Sequence, residues 1–186
     1  MYRTASKNVN WFYNNSLSYE NNIINLVGFI GNGSIISSPA DYSQYLSLSF
    51  DMLVYDNPQR TGAVLDIDFY DESKRFISAV FVDNEISFTI NEPEGVKPIA
   101  VIPCDKDWVN VKVVINLNKV VISIGEHSFG HVFKDMLAPA TIAFGNNHYP
   151  KAKRTEPSFS IKNVEVRTEY GSFPLFIDRL GVNTEY

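Results

Sequence analysis

Between Tyr45 and Val54 the chain alternates, with Leu46, Leu48, Phe50, Met52 and Val54 on one side of an extended backbone and Ser47, Ser49, Asp51 and Leu53 on the other. That two-residue period predicts a strand with one buried face. After a turn signal at Asp56-Asn57-Pro58, Leu65, Ile67 and Phe69 oppose Asp66, Asp68 and Tyr70, and the split face recurs. Arg75 to Val82 is apolar on both sides, which predicts a strand that is central or covered on both faces. Asp83-Asn84 then marks a short turn into Ile86, Phe88 and Ile90, which alternate with Ser87 and Thr89 as the second arm of a hairpin. The following stretch contains Pro93, Pro98 and Pro103 and is read as a loop, because proline breaks strand ladders.

Trp108 opens the next run, with Val109, Val111, Val113 and Ile115 facing in and Asn110, Lys112 and Asn116 facing out. Leu117-Asn118 turns the chain back into Val120, Ile122 and Ile124. Two shorter runs, Thr141 to Gly145 and Phe159 to Arg167, complete the series, and the parity of the second slips between Ile161 and Val164. Such a slip predicts a β-bulge. No window keeps apolar residues at helical spacing over three turns, and a single short helical turn is expected at 133–137, ahead of Pro139. Turn signals recurring roughly every 8 to 12 residues predict an all-β fold, a two-sheet antiparallel sandwich or jelly roll.

Composition narrows the functional classes. The 186 residues suit one domain, and a 45% hydrophobic content supplies a core without covalent help. Cys104 is the sole cysteine, which excludes an internal disulfide, a thiolate metal cluster and a paired redox motif. Sixteen Lys and Arg against 21 Asp and Glu give a net charge of −5, which argues against nucleic acid as a partner, because phosphate-backbone binding depends on clustered cations. The basic run Lys151, Lys153 and Arg154 lies between Pro150 and Pro157 and is read as a solvated loop. No stretch approaches the roughly 18 to 20 apolar residues of a membrane span. Met1-Tyr2-Arg3-Thr4 has no secretory apolar core, so the expected compartment is the cytoplasm if the chain is complete and extracellular or periplasmic if a leader has been removed.

Taken in order, the segments Gly31-Asn32-Gly33-Ser34-Ile35-Ile36, Leu46 to Asp51, Gly62 to Phe69, Trp108 to Val113 and Phe159 to Val166 resemble a small edge strand, a long strand, a returning strand, a tryptophan-led strand and a closing strand. That order resembles the concanavalin A-like lectin and glucanase superfamily, which includes the laminin G-like jelly rolls. The resemblance spans about residues 20 to 168 and implies a sandwich over residues 1–170. Residues 171–186 are left as a C-terminal strand or a linker. Phe173-Pro174-Leu175, with Gly181 and Tyr186, resembles the segment that leads from such a module into a β-propeller in secreted multidomain bacterial proteins.

The sharpest catalytic pattern is Asp66-Ile67-Asp68-Phe69-Tyr70-Asp71-Glu72. It resembles the strand motif of family-16 glycoside hydrolases, which implies a nucleophile, a helper and an acid on alternate positions aimed into one cleft. Here Asp66 stands where that family has a glutamate, and Tyr70 or Asp71 stands where its acid is expected. The plainer reading is a solvated acidic face on an amphipathic strand. Cys104 has no histidine placed near it by sequence, and His127 and His131 are flanked by Gly125 and Gly130, which predict a turn or hairpin rather than a zinc-binding helix face. Gly31-Asn32-Gly33 lacks the third glycine and the helix of a phosphate loop.

Binding has more support, because a sugar ring offers an apolar C–H face ringed by hydroxyl groups, and an aromatic plate beside short polar side chains complements both. Asp51, Asp66, Asp68 and Tyr70 share outward parity, and Asn146, Asn147, His148 and Tyr149 follow Gly145 in the best loop candidate. Asp66, Asp68, Asp71 and the amides of Asn146 and Asn147 are hard oxygen donors suited to calcium, and no other cofactor is expected. Asn14-Asn15-Ser16 and Asn32-Gly33-Ser34 fit the glycosylation acceptor pattern. The expectation is a non-catalytic carbohydrate-binding or interaction module of a larger extracytoplasmic protein, with a glycan or a neighbouring protein domain as partner. The alternatives are a glycoside hydrolase using Asp66 and Asp68, and a structural domain-contact module.

Overall fold

A computed structural model describes residues 9, 11–14, 18–27, 34–37, 45–54, 62–69, 75–82, 85–103, 107–145 and 158–174. Within them the chain forms β1 (Trp11–Asn14), β2 (Ser18–Glu20), β3 (Ile23–Val27), β4 (Ser34–Ser37), β5 (Tyr45–Val54), β6 (Gly62–Phe69), β7 (Phe76–Val82) and β8 (Glu85–Glu92). It continues through β9 (Gly95–Pro103), β10 (Val109–Asn116), β11 (Lys119–Ile124), β12 (His127–Val132), β13 (Pro139–Phe144), β14 (Ser158–Thr168) and β15 (Gly171–Pro174). Seven strands make one antiparallel sheet in the order β1-β4-β13-β6-β7-β8-β9, and the others make a second in the order β12-β11-β10-β5-β14-β3-β2, with β15 pairing β14. Among the described residues no helix is long and apolar enough to cross a membrane.

The two-residue period determines which side of each strand meets the other sheet. In the larger sheet Leu48 lies between Val113 and Val166, and Phe50 beside Val111, so the apolar positions of β5, β10 and β14 form one continuous inner face. In the smaller sheet Leu65 pairs with Phe144, Ile67 with Ile142 and Ile77, and Ile77 with Ile90. The faces meet where Phe50 sits edge-on to Phe144 at 4.9 Å between ring centroids, with Trp11 6.0 Å from Phe144 on another side. All three are buried. Each such side chain contributes about 1.5–3 kcal/mol when removed from water.

The parity slip expected in the last long strand is present. Register between β14 and β5 shifts between Lys162 and Glu165, and Asn163 takes a left-handed φ of 55°. β7 lies inside its sheet with β6 and β8 on either side, as its apolar composition requires. Val82 pairs with Glu85, which closes the expected β7–β8 hairpin, while Asp83-Asn84 lies outside the described residues. Gly171 to Pro174 pairs with the C-terminal half of β14 and is part of the same sheet.

Three expectations are corrected. The proline-bearing stretch is a strand, because β9 pairs with β8 from Glu92↔Gly95 to Glu85↔Pro103. Proline is tolerated there because β9 ends the sheet, and an edge strand has amides that need no ladder partner. A register shift beside Pro98 leaves Ile99 out of the pairing. At the turn into this strand the Lys97 ammonium donates to Glu92 at 2.6 Å, and that hydrogen bond holds the lysine above its ordinary pKa. The strand at Ser34–Ser37 is not an edge, since it pairs with both β1 and β13. Residues 133–137 do not form a helical turn. The Phe133 and Leu137 amides donate to the carbonyls of Asn118 and Leu117 at 2.8 and 3.0 Å, and Asn118 Nδ2 donates to the Phe133 carbonyl at 2.9 Å. Those bonds tie the segment to the β10–β11 turn and bury both apolar side chains.

Candidate functional site

The fold separates the carboxylates that share outward parity in the sequence. Asp51 lies on β5 in the larger sheet, and Asp66 and Asp68 lie on β6 in the smaller one. Because the chain changes sheets between β5 and β6, the same parity points to opposite outer faces of the sandwich. One ligand cannot bridge the two sets. Tyr70, Asp71, Asn146, Asn147, His148 and Tyr149 lie outside the described residues.

Asp66 also departs from the solvated position expected of it. It is 1% exposed, and its cross-strand neighbours Ala143 and Ser78 are as deeply buried. Lying between β13 and β7, it belongs to a row of small side chains that water does not reach. A glycosidic nucleophile needs an open approach to the anomeric carbon, and Asp66 has none in this structure. Asp68 is half-buried and accepts the Thr141 hydroxyl at 3.3 Å. Among the described residues no three His, Cys, Asp or Glu side chains come together as a metal site. His127 and His131 lie on β12, which forms a hairpin with β11, and the His131 ring stands edge-on to Phe133 at 4.8 Å.

The outer face of the larger sheet is different. One Asp51 oxygen accepts the Asn110 amide at 3.0 Å, and the other accepts the Asn163 amide at 2.8 Å. Asn110 comes from β10 and Asn163 from β14, so both neighbouring strands clamp the carboxylate that separates them. The bulge makes this reach possible by adding a residue to β14 opposite β5. Lys162, in register with Asp51, instead sets its ammonium 4.1 Å above the Trp108 ring, a cation–π contact of about 0.5–1 kcal/mol at an exposed site.

Trp108 also lines a cavity of about 440 Å³ at one end of the sandwich, together with Ile86, Ile102, Val109, Asp107 and Glu126 among others. Ile86 and Ile102 come from the smaller sheet, while Val109 and the β11–β12 turn come from the larger, so the cavity opens between the two sheets. Ile86, Ile102, Val109 and Ile124 give its lining apolar surface, while Asp107 and Glu126 come from connections and His127 opens β12. The Trp108 amide donates to Asp107 Oδ1 at 2.7 Å. On the other side Gly125 turns at φ 54° and donates to the Asn110 carbonyl at 3.0 Å. That left-handed geometry favours glycine and places Glu126 and His127 at the rim. In the sequence Trp108 opens a strand and His127 enters only as half of the His127 and His131 pair, while Asp107 and Glu126 carry no motif.

No family model and no curated protein matches the sequence. The fold does match solved structures. The binding domain of botulinum neurotoxin serotype D is similar at a TM-score of 0.62 and 12% identity, over 87% of this chain and 43% of that one. Domains LG4-5 of the mouse laminin alpha1 chain are similar at 0.59 and 15%, over 83% and 43%. A family 7 alginate lyase bound to substrate is similar at 0.57 and 10%, over 74% and 69%. This chain therefore spans less than half the length of the first two. At these identities the likeness establishes architecture alone: the chain folds as a two-sheet antiparallel jelly-roll sandwich, the fold it shares with these laminin, neurotoxin and alginate lyase structures.

Proposed function

We propose that this sandwich is a non-catalytic carbohydrate-binding module of a larger extracytoplasmic protein, with its ligand seated at the end of the sandwich against Trp108. The observation that carries this reading is the position of Trp108, half-buried between an end cavity and a hydrogen-bonded row of short polar side chains. An aromatic plate gives the C–H face of a sugar ring its apolar contact, and fixed amides and carboxylates beside it meet the hydroxyl groups. Asp51 is already occupied by two asparagine amides, so its role is to hold Asn110 and Asn163 in place. Two structures that share the fold support the reading: cell entry of one neurotoxin type depends on two ganglioside molecules, and the alginate lyase is in complex with its substrate.

A glycan array probed with the purified chain tests this. Retention on a defined set of glycans is expected, with Trp108→Ala reducing it at least tenfold while the melting temperature stays close to that of the unmutated chain. An array on which the unmutated chain retains nothing overturns the reading. Domain contact has an observation of its own, since Val101 on β9 and Val132 on β12 are 51% and 62% exposed on strands that end their respective sheets. That reading predicts an isolated chain that binds no sugar and self-associates unless both valines are replaced by serine.

A further inference from the structure

We infer that the outer edge of β12 pairs with β12 of a second copy of this chain, antiparallel and about a two-fold axis at Phe129, joining two larger sheets into one. This goes beyond the carbohydrate reading and does not depend on it. Position supplies the first observation. β12 ends the larger sheet, with β11 as its one ladder partner among the described residues. β9 comes close from the smaller sheet but forms no ladder with it. In an antiparallel ladder the backbone groups of alternate residues point to opposite sides. The far side of β12 therefore presents a row of amides and carbonyls, and another extended strand is the shape that matches it. His127, Ser128, Gly130 and Val132 on this strand are exposed.

The second observation is that this edge lacks the devices that keep other edges from pairing, which are shortness, proline, charge and bulges. β1 has four residues and β2 has three. β9 carries Lys97, Pro98 and Pro103 and a register shift. β12 has six residues, runs in unbroken register with β11, and contains no proline, lysine, arginine, aspartate or glutamate.

The third observation names the partner. His127-Ser128-Phe129-Gly130-His131 reads nearly the same in both directions. Laid antiparallel on a second copy with Phe129 opposite Phe129, each His127 meets a His131 and each Ser128 meets a Gly130. Opposite Ile124, Ile122 and Val120 of β11, the residues His127, Phe129 and His131 share one face, and Ser128 and Gly130 share the other. One face of the pairing is then an aromatic row across the axis, and the other carries only the smallest side chains, which let the two strands approach. Cross-strand aromatic pairs stabilise such a ladder. A strand of unrelated sequence has no such match to offer, and a two-fold axis closes the assembly at two copies.

Gly130 provides the test, because a Cβ built there meets nothing nearer than the Val120 carbonyl oxygen at 3.9 Å. Lysine or aspartate at this position leaves the fold intact, as melting temperature will verify. In the proposed register the two copies of residue 130 are diagonal neighbours, about 7–8 Å apart. Sedimentation velocity of the full chain is run from well below to well above a dissociation constant on the order of 10–100 μM, the weak class expected of so small a pairing. A monomer–dimer equilibrium is expected. Gly130→Lys and Gly130→Asp each weaken it at least about fivefold at low ionic strength, and an equimolar mixture of the two variants restores it. Replacing Val101 and Val132 by serine leaves the dimer in place, since neither valine belongs to the palindrome.

An unmutated chain that stays monomeric across the whole range overturns the inference. So does a dimer indifferent to Gly130→Lys, or one lost in the double serine variant, because either result places the contact elsewhere. If both Gly130 variants are folded and monomeric but their mixture is monomeric too, the two-fold pairing of β12 on itself is wrong.

Discussion

The Asp51 carboxylate accepts the Asn163 amide at 2.8 Å across the bulge that interrupts β14, and so it restrains a residue whose φ of 55° is left-handed. Asparagine tolerates that conformation better than most side chains, because its short polar group can bond locally. Here the local partner comes from the neighbouring strand. The bond and the backbone geometry support each other, and Lys162 immediately before the bulge is carried toward Trp108.

Two substitutions at Asn163 separate these contributions. Asn163→Gly removes the hydrogen bond but relaxes the backbone, with an expected cost of about 0.5–1.5 kcal/mol. Asn163→Ala removes the bond and leaves a Cβ in the left-handed region, adding about 1 kcal/mol more. Urea unfolding measures both. Equal losses for the two variants would show that backbone geometry contributes nothing at this bulge.

Phe144 touches both Phe50 and Trp11, so it connects the sheets at the centre of the core. Phe144→Ala is expected to destabilise the chain by about 3–5 kcal/mol, the range for removing a buried aromatic ring. Phe144→Leu should cost less than half as much, because more of the volume is retained. Thermal or denaturant unfolding followed by far-ultraviolet circular dichroism reads both, and a loss below about 1 kcal/mol for the alanine variant would contradict the inter-sheet packing.

Strand parity was legible in the sequence because each long strand has one face against the core. Leu46 to Val54 and Val109 to Ile115 declare themselves by alternation alone, and the slip between Ile161 and Val164 locates the bulge. What parity cannot show is which sheet a strand joins. Asp51 and Asp66 both point outward, yet they face opposite ways because the chain changes sheets between them. The end cavity was hidden for a related reason. Its lining runs from Ile86 to His127 and is assembled from strand ends and turns, where no periodicity operates. The β9 strand was hidden by its prolines, since being an edge is a property of the sheet and not of the segment.

Those prolines have a testable consequence. β9 pairs with β8 on one side and with no strand on the other among the described residues, and Val96 and Val101 on it are 62% and 51% exposed. An apolar edge of this kind invites another chain to pair with it. Replacing Pro98 by Thr restores an amide and raises strand propensity, and the expected outcome is concentration-dependent self-association in sedimentation velocity at protein concentrations where the unmutated chain is monomeric. Unchanged sedimentation of the Pro98→Thr variant would mean that the edge is protected by something other than proline.

Asp66 and Trp108 lie on different parts of the sandwich and should separate stability from binding. Asp66 is 1% exposed within a row of buried small side chains, so Asp66→Asn changes a group that no sugar in the end cavity can touch. Its expected effect is a shift in unfolding free energy of about 1–3 kcal/mol, with glycan retention at the level of the unmutated chain once both are measured below their melting transitions. Trp108→Ala is expected to do the reverse, because the ring is half-buried at a cavity mouth and lies outside the core built around Phe50 and Phe144. Retention on the array and melting temperature, measured side by side on the two variants, decide the matter. If Asp66→Asn abolishes retention while the protein remains folded, the ligand sits on the smaller sheet and the site assigned around Trp108 is wrong.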